Sequence, residues 1–419
     1  MTVEVSIGTP EDWKATRLRD VATFASGTTP SRARQDEYFN SGKHLWVKTL
    51  DLNNSVITTT EERVTDRALE ETTLKIHPAG TVLVAMYGGY QQIGRTGLLA
   101  APAAVNQALT AVMTNPRKLV PAYLLHTLNY RVGYWRSVAS SSRKDPNITG
   151  SDVKDFPISL PQVSEQEAIA EAVSDIDQLI AVLERAIAKR NAIKQGMLQQ
   201  LLTGKTHLSG WSHSRLSELI DGLEAGVSVR SSKYASHGVA VLKTSAVDRG
   251  QFDPTEAKPV FPADVGRVRC NPVAGSLIIS RMNTPALVGE VGYVEHDYTN
   301  LYLPDRLWLA RPKRGGRWQT NMRWLGYYLS SESGSRGVRE LATGTSGSMK
   351  NIPKDKLLAL RVPTPPPLEQ DRIAEALRDA DRAIGLLCNR LSKARGVKQG
   401  VMQQLLTGRT RFPVEEGAA

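Results

Sequence analysis

The chain has 419 residues, of which 41% are hydrophobic and 23% charged, and carries a net charge of +11. It is too long for one ordinary core, so two or more domains are expected, and its composition is that of a soluble globular protein rather than a disordered or fibrous one. No run of about 18 apolar residues is present, which excludes a membrane-spanning helix, and Cys270 and Cys388 lack metal or redox spacing.

The N-terminal stretch MTVEVSIGTPEDWKATRLRD has no apolar h-region and no small-residue cleavage site, so a cytoplasmic location is expected. From residue 13 the chain reads as a mixed α/β unit. It opens with WKATRLRDVATFASGTTPS and continues through strand-like runs at 44–52 (HLWVKTLDL), 80–89 (GTVLVAMYGG) and 93–99 (IGRTGLL). It ends near 155, after the polar loop SSSRKDPNI at 140–148.

A proline-marked entry, LPQVSEQ, then leads into a helix. Apolar residues recur at Ile169, Val173, Ile176, Ile180, Leu183 and Ile187, in steps of 4 and 3. That period of 3.5 marks a coiled-coil seam. The register is expected to shift near Arg190 and resume at Ile193, Met197 and Leu201, with Gly204 as the stop. A helix over 165–202 would be about 57 Å long.

The second half repeats the first. Residues 211–359 open with WSHSRLSELIDGLEAGVSV, so Trp211, Leu216 and Leu219 match Trp13, Leu18 and Val21. Strand-like runs follow at 239–247 (VAVLKTSAV), 275–283 (GSLIISRMN) and 288–294 (VGEVGYV), and a polar loop, GTSGSMKNI, lies at 344–352. A second proline entry, TPPPLEQ, leads to Ile373, Leu377, Ala380, Ile384, Leu387 and Leu391 in the same steps. A register shift near Ala394, resumption at Val397, Val401 and Leu405, and a stop at Gly408 are expected here too. At an offset of 204, 21 of the 42 positions in 165–206 and 369–410 are identical. Asn147-Ile148 meets Asn351-Ile352 at that same offset. Two equal seams in one chain can bury each other, whereas a lone helix of this length would leave its stripe exposed. The fold class expected is therefore α+β: two mixed α/β domains separated by two long helices that pair as an antiparallel coiled coil, with a pseudo-twofold internal repeat.

The two repeated segments sum to only +2, which leaves +9 on the rest of the chain. That distribution points the variable segments toward a polyanion. Catalytic signatures are missing. Gly204-Lys205-Thr206 resembles the end of a phosphate loop, but Gln199 stands where its first glycine belongs. The stretches CNPV and TNPR lack the second proline and the aromatic of an amino-methyltransferase loop. Glu256 and Lys258 lack a separate acidic partner for a magnesium nuclease, and the histidines show no metal-ligand pair at helical spacing.

The order variable domain, long helix, variable domain, long helix, with PxxxEQxxIAxA opening each helix and KQGxxQQLLTGxT closing it, strongly resembles the specificity (S) subunits of type I restriction-modification systems. Gly27, Pro30, Tyr38, Trp46, Lys48 and Asp51 are similar to that family's first half-domain. The second half-domain departs from the pattern, with no Thr-Pro in GVSVRSSKY and no counterpart of Trp46. The resemblance implies a non-catalytic subunit with target recognition domains at 1–155 and 209–359 and conserved helical regions at 156–208 and 360–419. It implies a bipartite, asymmetric site on double-stranded DNA, two methyltransferase (M) subunits and restriction-translocase (R) subunits as partners. No cofactor is implied for this chain, S-adenosylmethionine being bound by the methyltransferase. A free-standing two-headed DNA-binding protein is the alternative.

DNA-contacting residues are expected in strand-end and glycine-rich loops. The candidates are Lys48, Tyr87, Gln91, Arg95, Asn106, Gln107, Arg143 and Lys144 in the first domain, and Lys243, Arg281, Asn283, Arg306, Thr345, Ser346 and Lys350 in the second. Arginine can grip guanine bidentately, and Asn or Gln can do the same to adenine, while lysine suits phosphate.

Overall fold

The computed structural model describes residues 10–139, 146–202, 210–231, 238–313, 319–344 and 349–412. The chain forms two compact units, Met1–Glu184 with Asn389–Ala419, and Arg185–Cys388. Each unit takes one variable domain and opposite halves of two 40-residue helices, Val163–Leu202 and Pro367–Leu406. These helices begin within two residues of the places the proline entries mark.

In the first unit, the strand Ala22–Ser26 pairs with Leu109–Thr114, which pairs with Val82–Ala85, then Thr96–Leu99 and Val56–Ile57. A second sheet runs Glu62–Val64, His44–Val47, Ala103–Val105, Ile76–His77, with His44–Val47 parallel to Ala103–Val105. The second unit repeats the plan. Ile220–Ala225, Leu307–Pro312, Leu277–Ser280 and Val291–Tyr293 make one sheet. Ala257–Pro259, Ala240–Leu242 and Leu301–Tyr302 make the other, again with one parallel pair. Strand-like runs read from the sequence thus fall on matching strands in both domains.

Gly27 and Gly226 show why the two sheets can meet so closely. A β-carbon on Gly27 would lie 2.2 Å from the carbonyl oxygens of Val105 and Asn106, and one on Gly226 would lie 1.7 Å from that of Leu303. Only glycine lets the backbones approach this far.

Each domain is tied to its long helix by the same devices. Lys14–Arg17 pairs with Pro157–Leu160, and Ser212–Arg215 with Arg361–Thr364, just before the helices begin. The buried Gln166 accepts from the Val120 amide at 2.9 Å and donates to the carbonyls of Lys118 and Pro161 at 2.9 and 3.0 Å. Gln370, its repeat, accepts from the Asn321 amide and donates to the Pro365 carbonyl, both at 2.9 Å. A glutamine satisfied on both ends of its amide can sit in a core at little cost.

Within each unit the two helices run antiparallel. Ile169, Ala170 and Val173 share the first unit's core with Met402, Leu405 and Leu406. Leu202 shares the second unit's core with Ile373, Ala374 and Leu377. The expected register shift does not occur. The seven-residue step from Ile187 leads to Lys194, and that from Leu391 to Lys398, so the 4–3 spacing continues unbroken to Leu201 and Leu405. Ile193 and Val397, read from the sequence as seam residues, are 45% and 55% exposed. The seam holds charged groups there because they are paired: Lys398 lies 2.6 Å from Asp177 and Lys194 2.5 Å from Asp381. Gly408, at φ +70, follows the end of the second long helix as a left-handed stop; Gly204 lies outside the described residues.

Candidate nucleic-acid interface

The loops at one end of each domain's main sheet are built on a common backbone frame. In the first domain, Val82–Ala85 runs out at Met86. The Met86 amide donates to the Ala108 carbonyl at 2.8 Å, and its carbonyl accepts from the Ile148 amide at 3.0 Å. In the second domain, Leu277–Ser280 runs out at Arg281. Its amide donates to the Arg306 carbonyl at 2.9 Å, and its carbonyl accepts from the Ile352 amide at 3.1 Å. The Asn-Ile pairs matched at the offset of 204 therefore perform one structural task twice. They bring the segment before each long helix onto the end of a core strand.

On this frame the first domain gathers Tyr87, Gln91, Asn106 and Gln107. Tyr87 is 44% exposed, Gln91 and Gln107 are exposed, and Asn106 is half-buried. The Asn106 carboxamide oxygen accepts from the Ala108 amide at 3.2 Å, and its backbone amide donates to Val47 at 3.0 Å. Lys48, next to Val47, is at the same end, but its ammonium is held by Glu61 at 2.7 Å and Glu62 at 2.6 Å. Burial works against its charge, and the two carboxylates outweigh it and raise its pKa. Arg95 turns into the fold, donating to the Gln92 side chain at 3.0 Å and to the Leu52 carbonyl. It braces the loop from within.

In the second domain Arg281, Asn283, Arg306 and Lys350 come together. Met282–Asn283 pairs with Lys350–Asn351, and Met282 also donates to the Arg306 carbonyl at 3.4 Å. Arg281 donates through Nε to Asn351 at 3.1 Å and lies 5.4 Å from the Trp308 ring centre. Asn283 donates to Ser280 at 3.3 Å, and Lys350 to the Gly344 carbonyl at 2.7 Å. Lys243 stands apart from this group, 3.3 Å from Glu256. It repeats Lys48, since both lysines pair with a glutamate 13 residues downstream. Arg143, Lys144, Thr345 and Ser346 lie outside the described residues.

Sequence reasoning missed Tyr90, which is 49% exposed with the Arg136 guanidinium 5.9 Å from its ring centre. The signal was present in YGGYQQ, where a diglycine separates two tyrosines. Among the described residues no group of three or more His, Cys, Asp or Glu side chains is placed to hold a metal ion, and no helix is long and apolar enough to cross a membrane.

Comparison with known proteins agrees with this duplicated architecture. Residues 10–195 match the type I restriction modification DNA specificity domain. The chain is 23% identical to the type I restriction enzyme MjaVIII specificity subunit of Methanocaldococcus jannaschii, over 96% of this chain and 94% of that protein. Its fold is similar to the crystal structure of the type I restriction-modification S subunit from M. genitalium, with a TM-score of 0.63 at 14% identity, covering 99% and 98% of the two chains. A chain in a structure describing complex assembly and conformational transition of the type I R-M system is also similar, with a TM-score of 0.55 at 17% identity, covering 96% and 99%. A domain duplicated on paired long helices, a match over 96% of the chain and a specificity-domain signature over residues 10–195 point the same way: along nearly its whole length the protein is similar to the specificity subunits of type I restriction-modification systems.

Proposed function

We propose that this chain reads a bipartite, asymmetric site on double-stranded DNA, one half with each variable domain, and carries two methyltransferase subunits, with restriction-translocase subunits joining for cleavage. The observation that carries the reading is the shared frame with unlike side chains. The Ile148–Met86 and Ile352–Arg281 hydrogen bonds are equivalent, yet one end presents tyrosines and amides while the other presents a basic cluster. Equivalent frames support two readers, and unlike chemistry supports two different half-sites.

Two copies of one partner need two copies of one surface. Val182 and Leu386, at the offset of 204, are 51% and 66% exposed, and Ile193 and Val397 are 45% and 55% exposed. Repeated exposed apolar side chains on the long helices support docking of two identical methyltransferase subunits. S-adenosylmethionine would belong to those subunits, and the complex would act in the cytoplasm.

The test is a methylome. The chain is expressed with its neighbouring methyltransferase in a methylation-free host, and modified adenines are mapped by single-molecule sequencing. One bipartite motif with unlike halves and a fixed gap is the expected result. Absence of any motif, with both proteins soluble and associated, would count against the reading. Absence of association as well would favour a two-headed DNA-binding protein that acts alone.

A further inference from the structure

The polar side chains gathered at the sheet end of the second domain differ in what they have left to give. Arg281 spends its Nε on Asn351 and stands near the Trp308 ring. Asn283 is bonded to Ser280, and Lys350 to the Gly344 carbonyl. Arg306 is different. Its backbone is fixed, because its carbonyl accepts from both Arg281 and Met282, at 2.9 and 3.4 Å. Its side chain is exposed, and among the described residues nothing accepts from its guanidinium. The adjacent carboxylate, Asp305, accepts from the Ser228 hydroxyl, and among the described residues no ion pair joins it to Arg306.

We propose that Arg306 is the base-reading arginine of the second domain and that it specifies a guanine in the second half-site. The proposal rests on the DNA-recognition reading above. An arginine on a rigid backbone with all its donors unspent matches the two acceptors, O6 and N7, that guanine shows in the major groove. The frame also makes this contact one-sided. The bond from Met86 to Ala108 in the first domain is the counterpart of that from Arg281 to Arg306, so a methyl group occupies Arg306's place in the first domain. The guanine contact therefore belongs to one half-site only. Arg281 is less suited to the same role, because its Nε is bonded to Asn351 and its guanidinium stands near the Trp308 ring.

The experiment is the methylome of the complex carrying Arg306→Ala and, separately, Arg306→Gln. With alanine, one G·C position in one half-site is expected to lose discrimination by about tenfold or more, while the other half-site and the gap stay as in the wild type. With glutamine, whose amide matches adenine, the same position is expected to turn from guanine toward adenine. The glutamine variant guards against loss of recognition through simple destabilisation, since misfolding cannot create a new preference. A wild-type motif left unchanged by both variants, or relaxed in both halves, or relaxed at a position that is not guanine, would overturn the proposal and leave the parent reading standing. No motif for the wild-type complex would overturn the parent reading and the proposal with it.

Discussion

Lys398 of the second long helix sets its ammonium 2.6 Å from the Asp177 carboxylate of the first, with both side chains about one-fifth exposed. Lys194 and Asp381 repeat the pair at 2.5 Å in the other unit. Each aspartate also faces a side chain from its own variable domain. Tyr327 donates its hydroxyl to Asp381 at 2.7 Å, and His126 lies 3.9 Å from Asp177 while its Nε2 meets Ser174 at 3.0 Å. A charged pair in an otherwise apolar seam contributes less to raw stability than to the choice of register, because a slipped helix would leave both charges unpaired and partly buried.

Lys398→Met is therefore expected to destabilise the first unit by about 1–3 kcal/mol, since it strands Asp177. Asp177→Asn alone should cost a similar amount. The double variant should cost less than the sum, with a coupling of about 1 kcal/mol or more by urea unfolding. A coupling near zero would show that the pair has no energetic consequence.

The two glutamines that latch the domains to the helices give a second expectation. Gln166→Ala leaves the Val120 amide and the Lys118 and Pro161 carbonyls without their partner. Each buried group left unmet costs roughly 1–3 kcal/mol, partly relieved by relaxation, so a loss of about 2–3 kcal/mol is expected. Gln370→Ala removes the partner of the Asn321 amide and the Pro365 carbonyl. Hydrogen exchange should then quicken at the Asn321 amide in that variant and at the Val120 amide in the first. Unchanged exchange at these amides would contradict a latch.

How much of this was legible differs between frame and site. The helices were readable because seam spacing and duplication point to the same residues, Ile169 to Ile187 and Ile373 to Leu391. The continuation of the register was not. Lys194 and Lys398 look like interruptions in a hydrophobicity pattern, and only the carboxylates opposite them make the seam continuous. Likewise Arg95, Arg281 and Arg306 are alike as letters in glycine-containing, strand-end loops. Whether a guanidinium braces its own loop or faces solvent depends on the Leu52 carbonyl, Asn351 and Trp308, which are distant in sequence. Lys48 shows the same limit, since its charge is already spent on Glu61 and Glu62.

His126 gives the stability a pH dependence with a definite sign. Burial disfavours its charged form and outweighs the attraction of Asp177, while Lys398 adds repulsion, so its pKa is pushed down to about 4. The unfolded chain would protonate it near the ordinary value of about 6.5. Between those values the unfolded state binds a proton that the folded state does not. Stability should thus be level above about pH 6.5 and fall as pH drops toward 4, by on the order of 2–3 kcal/mol. Thermal melts across this range should show a shallower slope for His126→Gln. Some slope should remain, because burial also lowers the pKa of His77. An identical slope in wild type and variant would remove His126 from the account.

The unbroken spacing also fixes what a change of helix length should do. Seven residues preserve a 3.5-residue seam, so one heptad inserted after Arg190 and another after Ala394 would keep Lys194 and Lys398 at seam positions. Each helix would lengthen by about 10 Å at 1.5 Å per residue. If the helices set the gap between half-sites, the gap should grow by about three base pairs at 3.4 Å each, with both half-site sequences unchanged. Four residues inserted between Asp177 and Lys194 alone would instead move every following seam residue off its position, so the two lysine–aspartate pairs could not both form in one register. That variant should lose recognition or stability rather than acquire a new gap. Methylomes of the two variants in the same host would separate the cases. A new half-site sequence in the heptad variant would show that the helices do more than set distance.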